Sequence, residues 1–168
     1  MSSEELRWGI IGCGLISHDF VLSMKNCKTK NKIVAVAARN LEKAENFKTQ
    51  TNLENSVVVY GSYDELLADK NVDIVYIGVV NHEHVPIGIK ALEVGKPLLA
   101  EKPIGPNVKE AKKLFEKAKE KNLFLMEATW SRFSPVYQEI RKIIDEKTLG
   151  NVVGVNATFC LPWLVSGV

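Results

Sequence analysis

Short apolar runs alternate with helical segments along most of the chain, and this alternation limits the folds that the chain can adopt. Strands are predicted at residues 6–11, 33–38, 57–60, 73–78, 97–100 and 124–127. Helices are predicted between them at about 17–24, 85–94 and 108–121, and a capping-box pattern starts another at Ser62. Strands that are nearly continuously apolar and alternate with helices are typical of parallel sheets. The predicted fold is therefore α/β, with a doubly wound parallel sheet whose ligands bind at the carboxyl ends of the strands.

Length and composition exclude several classes of protein. With 168 residues, 46% of them hydrophobic and 25% charged, the chain suits one soluble domain and the beginning of a second. The net charge is only +2 and the lysines are spread along helix faces, so no nucleic-acid partner is expected. We find no run of about 18 apolar residues and no signal-peptide pattern, so no membrane or export role is expected. Three cysteines without a C-x-x-C spacing favour a reducing, cytoplasmic setting.

A glycine-rich turn follows the first predicted strand. Its pattern is Gly12-x-Gly14-x-x-Ser17, and it opens a helix. In a dinucleotide-binding domain of the Rossmann type, the first glycine permits a sharp turn and the second lets the backbone approach a pyrophosphate. We expect Leu15, Ile16 and the start of the helix at about Ser17 to present N–H groups to that anion. Ser17 replaces the usual third glycine as a small residue that can also donate to phosphate. The alternative is a structural turn in an unrelated α/β protein.

The end of the second predicted strand bears on the choice of nucleotide. An acidic residue about 20 residues after the glycine turn binds the ribose 2′-hydroxyl in NAD-dependent proteins. Here the segment is VAARN, with Arg39 in place of an acid and Lys43 one helical turn later. Because arginine pairs with phosphate and stacks on adenine, NADP is the predicted cofactor. The alternative for Arg39 is an ordinary solvated side chain.

A later segment, AEKPIG at residues 100–105, extends the argument beyond nucleotide binding. Glu101-Lys102-Pro103 after a strand resembles the signature of the glucose-fructose oxidoreductase and inositol dehydrogenase family. Within that family the chain looks most like the dimeric dihydrodiol dehydrogenases, which are also associated with D-xylose oxidation. This likeness is carried by GLISHDF, VAARN, YGSYDELL and FLMEATWSRFSP, and it extends to about residue 159.

The resemblance implies an NADP-dependent oxidoreductase that transfers a hydride between nicotinamide and a trans-dihydrodiol or an aldose. Lys102 is the expected catalytic residue, because its ammonium can orient a substrate oxygen or exchange a proton with it. Glu101 is expected beside the cofactor, and Pro103 is expected to hold Lys102 in an extended conformation. Without the family signature, a lysine after a strand is usually a solvated loop charge.

Two further segments carry site residues by resemblance. Asn81 and His84 match a T-P-N-x-x-H pattern in which this chain has Val79-Val80 in place of Thr-Pro. We expect Asn81 to contact the cofactor and His84 to orient a neighbouring loop. No third ligand accompanies His82 and His84 in the sequence, so no metal is expected.

The second of these segments is the W-x-R-F stretch. Trp130 and Arg132 are expected to line the cofactor and substrate pocket, with Phe133 beside them. The alternative for these residues is packing between the nucleotide-binding domain and whatever follows it.

The resemblance also suggests how the chain is divided. We expect residues 1–128 to form the dinucleotide-binding domain, and residues 129–168 to form a crossover helix from about 135 to 147 and the first strand of an incomplete second domain. The last residues depart from the family pattern, so a truncated chain that binds NADP with little or no activity is expected. The alternatives are therefore an active dehydrogenase, whose full-length relatives are compatible with a homodimer, and a cofactor-binding fragment without catalysis. An unrelated nucleotide-binding protein would leave Glu101-Lys102-Pro103 unexplained.

Overall fold

The computed structural model describes residues 5–158 and 160. In this part of the chain six strands alternate with six α-helices. In chain order they are β1 (Leu6–Ile11), α1 (Leu15–Met24), β2 (Asn31–Ala37), α2 (Leu41–Gln50), β3 (Val58–Tyr60), α3 (Tyr63–Ala68), β4 (Ile74–Ile77), α4 (His84–Glu93), β5 (Leu98–Glu101), α5 (Val108–Lys121), β6 (Leu125–Ala128) and α6 (Pro135–Asp145). Two 3-10 helices lie at Asn81–Glu83 and Trp130–Phe133.

The six strands form one parallel sheet in the order β3-β2-β1-β4-β5-β6. The chain builds outwards from β1 to β3 and then crosses to β4, from which it builds outwards in the other direction. The predicted doubly wound fold is thereby confirmed. Its switch point lies between β1 and β4, where Ile11 is in register with Ile77. Ligands of such sheets bind at this point, outside the carboxyl ends of the strands.

Alternate residues of the central strands pack into two hydrophobic layers, one on each face of the sheet. Ile11 and Ile77 belong to the layer that includes Leu92 of α4 and Leu114 of α5. The other layer contains their neighbours Ile10 and Tyr76, together with Val21, Val36, Phe47 and others. Both faces of β1 and β4 are therefore covered, which is why these strands read as continuous apolar runs.

Helix ends follow local chemistry closely. Asn107 caps α5 by accepting from the Glu110 N–H at 3.0 Å, and Asn122 ends the helix in the left-handed conformation. Ser62 caps α3 through the Asp64 N–H, whereas the capping-box pattern predicts Glu65 as the donor. Helix α1 begins at Leu15, two residues before the predicted start, because Gly14 is already its N-cap.

The chain divides into two compact units, Met1–Thr129 and Trp130–Val168. The second unit contains α6, which begins with a proline at its first position. The sequence predicts a strand in residues 152–160, but residues 152–158 have no regular structure. The physical reason is that no strand within the described residues pairs with this segment. Phe159 and the residues after Cys160 lie outside the described part.

None of the helices within residues 5–158 is long and apolar enough to cross a lipid bilayer.

Candidate cofactor-binding site

The glycine turn lies at the switch point of the sheet, directly after β1 and beside the end of β4. Gly12 has a φ of +94°, and a Cβ atom there would collide with the carbonyl group of Gly78. A Cβ on Gly78 would in turn collide with the Ser17 hydroxyl and lie 2.8 Å from the Tyr76 ring. The Gly12 N–H donates to the Ala37 carbonyl at 2.9 Å, and the Gly78 N–H donates to the Ile11 carbonyl at 2.8 Å. The turn is therefore held tightly against the end of β4. Glycine is required at Gly12 in the turn and at Gly78 directly after β4.

Gly14 differs from Gly12 because its surroundings are empty. Its backbone is extended, with φ −101° and ψ −178°, and apart from Gly14 and its two chain neighbours no atom of the described residues lies within 4 Å of the position that a Cβ would take. None of the described side chains caps α1, whose first N–H groups lack acceptors within the helix. A phosphate group fits this combination, because it would fill the space beside Gly14 and accept from the start of α1.

A cavity of about 500 Å³ adjoins the turn, within the usual size range of ligand pockets. Of the residues that the sequence singles out, it is lined by Gly12, Gly14, Ile16, Arg39 and Lys43. The lining residues that sequence reasoning missed are Cys13, Ala38, Asn40, Tyr63, Gly78, Val79, Val80 and Glu83. Tyr63 begins α3, shortly after β3 ends. Its place after a strand is the one sequence signal that could have indicated that it lies at the carboxyl edge of the sheet.

The charges in this cavity are few. Burial raises the pKa of the Cys13 thiol to about 11, and its Sγ donates to the Ala37 carbonyl at 3.5 Å. Burial also raises the pKa of Tyr63, although the nearby Arg39 guanidinium acts in the opposite direction. Both groups are therefore neutral near pH 7. Arg39 and Lys43 supply the positive charge, and Glu83 supplies a carboxylate.

Ser17 and Leu15 are predicted site residues that do not line the cavity. The Ser17 side chain is fully buried, and its hydroxyl donates to the Gly78 carbonyl at 3.4 Å. It therefore serves the close packing of α1 against the end of β4. Leu15 is 80% exposed and can contribute its backbone at the start of α1.

Glu101 closes β5, and its carboxylate is turned into the protein. One oxygen accepts from the Tyr76 hydroxyl at 2.9 Å, and the other accepts from the Lys102 N–H at 3.2 Å. Burial and the adjacent carboxylate raise the pKa of Tyr76, which keeps the phenol protonated as a donor. The Tyr76 ring stacks on Phe20 with the ring centroids 3.9 Å apart. Tyr76 is a site residue that the sequence analysis did not identify.

Lys102 contrasts with the structural lysine Lys96. The Lys96 Nζ is buried and donates to the carbonyls of Asp69 and Val72, both at 2.7 Å. Lys102 is exposed, and its Nζ has no hydrogen-bond or ion-pair partner among the described residues. Its ammonium group is thus available to a ligand at the carboxyl end of β5. The peptide bond between Lys102 and Pro103 is cis.

His84 is fully buried at the start of α4 and joins two loops of this edge. Its Nδ1 lies 2.8 Å from the Pro103 carbonyl oxygen, and its Nε2 lies 3.0 Å from the Val79 carbonyl oxygen. The first carbonyl belongs to the Glu101-Lys102-Pro103 segment, and the second belongs to a residue that lines the cavity. Asn81 begins the exposed 3-10 helix between Val79 and His84.

Trp130 and Arg132 lie in the second compact unit, in the 3-10 helix Trp130–Phe133. Within residues 5–158 and Cys160, no group of three or more His, Cys, Asp or Glu side chains is arranged to hold a metal ion.

Comparison with known proteins connects this geometry to a family of enzymes. Residues 6–129 match the model of the oxidoreductase family with an NAD-binding Rossmann fold. Trans-1,2-dihydrobenzene-1,2-diol dehydrogenase from Xenopus tropicalis is 41% identical over 154 residues, which are 91% of this chain and 46% of that protein. The enzyme of the same name from Mus musculus is 39% identical over 155 residues, covering 92% of this chain and 46% of that protein. The chain thus spans about half the length of the curated relatives that it matches.

Solved structures show the same fold. A 3-ketoreductase from Actinomadura kijaniata, in complex with TDP-benzene and NADP, superposes with a TM-score of 0.76 at 29% identity. The match covers 85% of this chain and 44% of that one. An NAD-binding oxidoreductase from Klebsiella pneumoniae matches with a TM-score of 0.75 at 25% identity, covering 88% of this chain and 40% of that one.

Proposed function

Because the chain belongs to the oxidoreductase family with an NAD-binding Rossmann fold, as its Glu101-Lys102-Pro103 segment indicated, we propose that it binds NADP(H) in preference to NAD(H). We further propose that it serves hydride transfer between nicotinamide and a trans-dihydrodiol or an aldose such as D-xylose. The observation that carries the proposal is the cavity at the switch point, where the empty space beside Gly14 adjoins two cationic side chains.

The preference for NADP rests on Arg39 and Lys43. Both line the cavity next to the glycine turn, and no carboxylate occurs in the VAARN segment at the end of β2 to compete for a ribose hydroxyl. A guanidinium can bind the 2′-phosphate through two parallel hydrogen bonds. Such a charge-assisted contact is worth roughly 1.5 to 3 kcal/mol, or about ten- to a hundredfold in affinity.

The chemical role falls to Lys102. The bound cofactor supplies the group that accepts or gives up a hydride. Lys102 holds the reacting substrate oxygen through its ammonium group and exchanges a proton with it as the charge on that oxygen changes. The absence of any bond from its Nζ to the described residues leaves all three donors for this task. A trans-dihydrodiol is supported as substrate by the names of the relatives at 39% to 41% identity.

The remaining parts of the proposal concern residues and setting. The backbones of Leu15 and Ile16 contact the pyrophosphate, and Asn81 contributes to the cofactor site as the family resemblance implies. Glu101 and His84 support this site through the contacts described above. The chain works in the cytoplasm, in keeping with its three free thiols.

Cofactor preference is tested by titrating the chain with NADPH and with NADH and following nicotinamide fluorescence. We expect NADPH to bind at least about tenfold more tightly, and Arg39→Ala to remove most of that preference. Lys119→Ala, on the exposed face of α5, is the matched control for loss of one positive charge. Equal affinity of the parent chain for both nucleotides would contradict the NADP proposal.

Catalysis is tested separately with NADP⁺ and a panel of dihydrodiols and pentoses. Turnover that Lys102→Met abolishes, with NADPH affinity nearly unchanged, supports the dehydrogenase proposal, because the lysine then acts mainly in the transition state. Turnover that survives in Lys102→Met shows that this lysine is not catalytic. Tight NADPH binding without turnover favours the alternative of a cofactor-binding chain.

A further inference from the structure

We propose that Glu127 is a positioning residue for Lys102. The inference rests on the proposed role of Lys102 and gives a role to a residue that has none from the Glu101-Lys102-Pro103 signature or from the cavity lining. Glu127 lies on the edge strand β6, with its carboxylate directed towards the segment that follows Lys102.

The contacts of Glu127 are specific. Its Oε1 accepts from the backbone N–H of Ile104 at 2.8 Å, and its Oε2 accepts from the Thr129 hydroxyl at 3.2 Å. Both oxygens of this half-buried carboxylate are therefore used, and the Thr129 bond restricts the orientation of the group. A charge-assisted hydrogen bond of this length is among the stronger ones in proteins.

Two other side chains hold the same segment. Glu101 accepts from the Lys102 N–H at 3.2 Å, and the His84 ring lies 2.8 Å from the Pro103 carbonyl oxygen. Together with Glu127, these side chains engage three successive backbone groups around Lys102: the N–H of Lys102, the carbonyl of Pro103 and the N–H of Ile104. β5 supplies the first contact, α4 the second and β6 the third.

This arrangement separates a fixed backbone from a free side chain. Ile104 is buried, so its backbone N–H needs a hydrogen-bond acceptor. A serine or asparagine side chain would meet that need equally well. The need of this amide alone therefore does not explain a carboxylate that is itself oriented by Thr129. The Lys102 ammonium has no bond to the described residues, so its direction depends on how its backbone is held. Because misplacing a reacting group by 1 Å can cost about a hundredfold in rate, a rigid attachment serves the proposed chemistry.

The test compares Glu127→Ala and Glu127→Gln with the parent chain. Glutamine keeps an oxygen that can accept from the Ile104 N–H, whereas alanine removes it. Glu45→Ala is the control, because that exposed carboxylate on α2 has no hydrogen-bond or ion-pair partner among the described residues. Circular dichroism and thermal unfolding of each variant show that it folds.

Two NMR measurements then give the result without any need for turnover. The first is amide exchange at Ile104, which we expect to be faster by about tenfold or more in Glu127→Ala and near parental in Glu127→Gln. The second is the change in the Lys102 side-chain resonance on adding NADP⁺, with the resonance identified by its loss in Lys102→Arg. We expect this change in the parent and in Glu127→Gln, and expect it to be lost or strongly reduced in Glu127→Ala, while the dissociation constant for NADP⁺ changes by less than about twofold.

Each outcome has a distinct meaning. An unchanged Lys102 response in folded Glu127→Ala overturns the positioning proposal, even when Ile104 exchange increases. Equal loss of NADP⁺ affinity and of the Lys102 response also overturns it, because Glu127 is then part of general stability or of cofactor binding. A parent chain that binds no NADP⁺ overturns the proposed function itself, and with it this inference.

Discussion

The hydroxyl of Tyr76 on β4 donates a 2.9 Å hydrogen bond to the carboxylate of Glu101 on β5. Both side chains are buried, and the Tyr76 ring also stacks on Phe20 of α1. Tyr76 therefore connects the helix that follows the glycine turn to the strand that ends at Glu101, next to Lys102. A buried carboxylate without such a donor is costly, because its desolvation is not offset.

We predict that Tyr76→Phe lowers the free energy of unfolding by about 1 to 3 kcal/mol, the usual cost of leaving a buried charged acceptor without its partner. The phenylalanine ring keeps the stacking on Phe20, so the change isolates the hydroxyl. Urea denaturation measures the difference. Tyr60→Phe is the matched control, because its hydroxyl bonds the half-buried Asp69 at 3.1 Å, and we expect a smaller loss there. An equal loss of unfolding free energy in the two variants would show that the burial of Glu101 does not make its hydrogen bond more stabilising than that of Asp69.

Alanine is predicted to affect mainly folding at Gly12 and mainly cofactor binding at Gly14. Gly12→Ala should destabilise the fold by at least about 3 kcal/mol, because it combines a left-handed φ with a collision against Gly78. Gly14→Ala should cost no more than about 1 kcal/mol, since its backbone is extended and its surroundings are open. Its methyl group nevertheless enters the space proposed for the pyrophosphate, so NADPH affinity should fall by about tenfold or more.

Thermal unfolding and fluorescence titration of the same two proteins check this contrast. If Gly14→Ala binds NADPH as tightly as the parent chain does, the pyrophosphate does not lie beside Gly14. A Gly12→Ala chain as stable as the parent would mean that the turn can relax.

The sequence predicts best those elements whose signals are local. The bounds of β1 and α5 agree with the prediction, because an apolar run between two acidic residues and a glycine turn, and an Asn-capped amphipathic repeat, need no tertiary information. The start of α1 was wrong by two residues, since a glycine N-cap carries no side-chain signal. The strand expected after residue 151 was wrong for residues 152–158, because a strand requires a partner that its own sequence does not reveal.

In the candidate site, too, the sequence predicts the residues at strand ends but not the contacts between strands. Gly12, Gly14 and Arg39 follow strand ends in sequence, so the parallel fold alone brings them to one edge of the sheet. The pairing of Tyr76 with Glu101 depends on the register of β4 against β5, where Tyr76 is opposite Leu99. The contact from Glu127 to Ile104 likewise depends on how β6 is aligned with β5. Such contacts span more than 20 residues of sequence and no spacing rule indicates them.

Cys13 is predicted to react slowly with alkylating reagents although it lines the cofactor cavity. Burial raises the pKa of its thiol to about 11, so at pH 8 its thiolate is about a hundredfold scarcer than that of an unperturbed thiol. Iodoacetamide labelling followed by mass spectrometry should modify the exposed Cys27 first. NADPH should slow the residual reaction at Cys13 and leave Cys27 unaffected. Faster labelling of Cys13 than of Cys27 would contradict the burial argument.

The ion pair between Arg7 and Asp73 is predicted to give the chain a defined acid sensitivity. Asp73 accepts from the Arg7 Nε at 2.9 Å, from its Nη2 at 2.6 Å and from its backbone N–H at 2.9 Å, and these bonds lower the pKa of the carboxyl group. A carboxyl whose pKa is lower in the folded state stabilises the fold above its unfolded pKa of about 3.9, and this stabilisation is lost as the pH falls through the folded pKa. Because both side chains are partly exposed, the ion pair itself contributes about 1 kcal/mol or less.

Urea denaturation measures this contribution. The unfolding free energies of the parent and of Asp73→Asn should differ at pH 6 and converge as the pH approaches about 2. Asp145→Asn on α6 reports the general effect of removing one surface carboxylate. A difference between parent and Asp73→Asn that stays constant from pH 6 to pH 2 would show that the Asp73 carboxylate charge adds no stability.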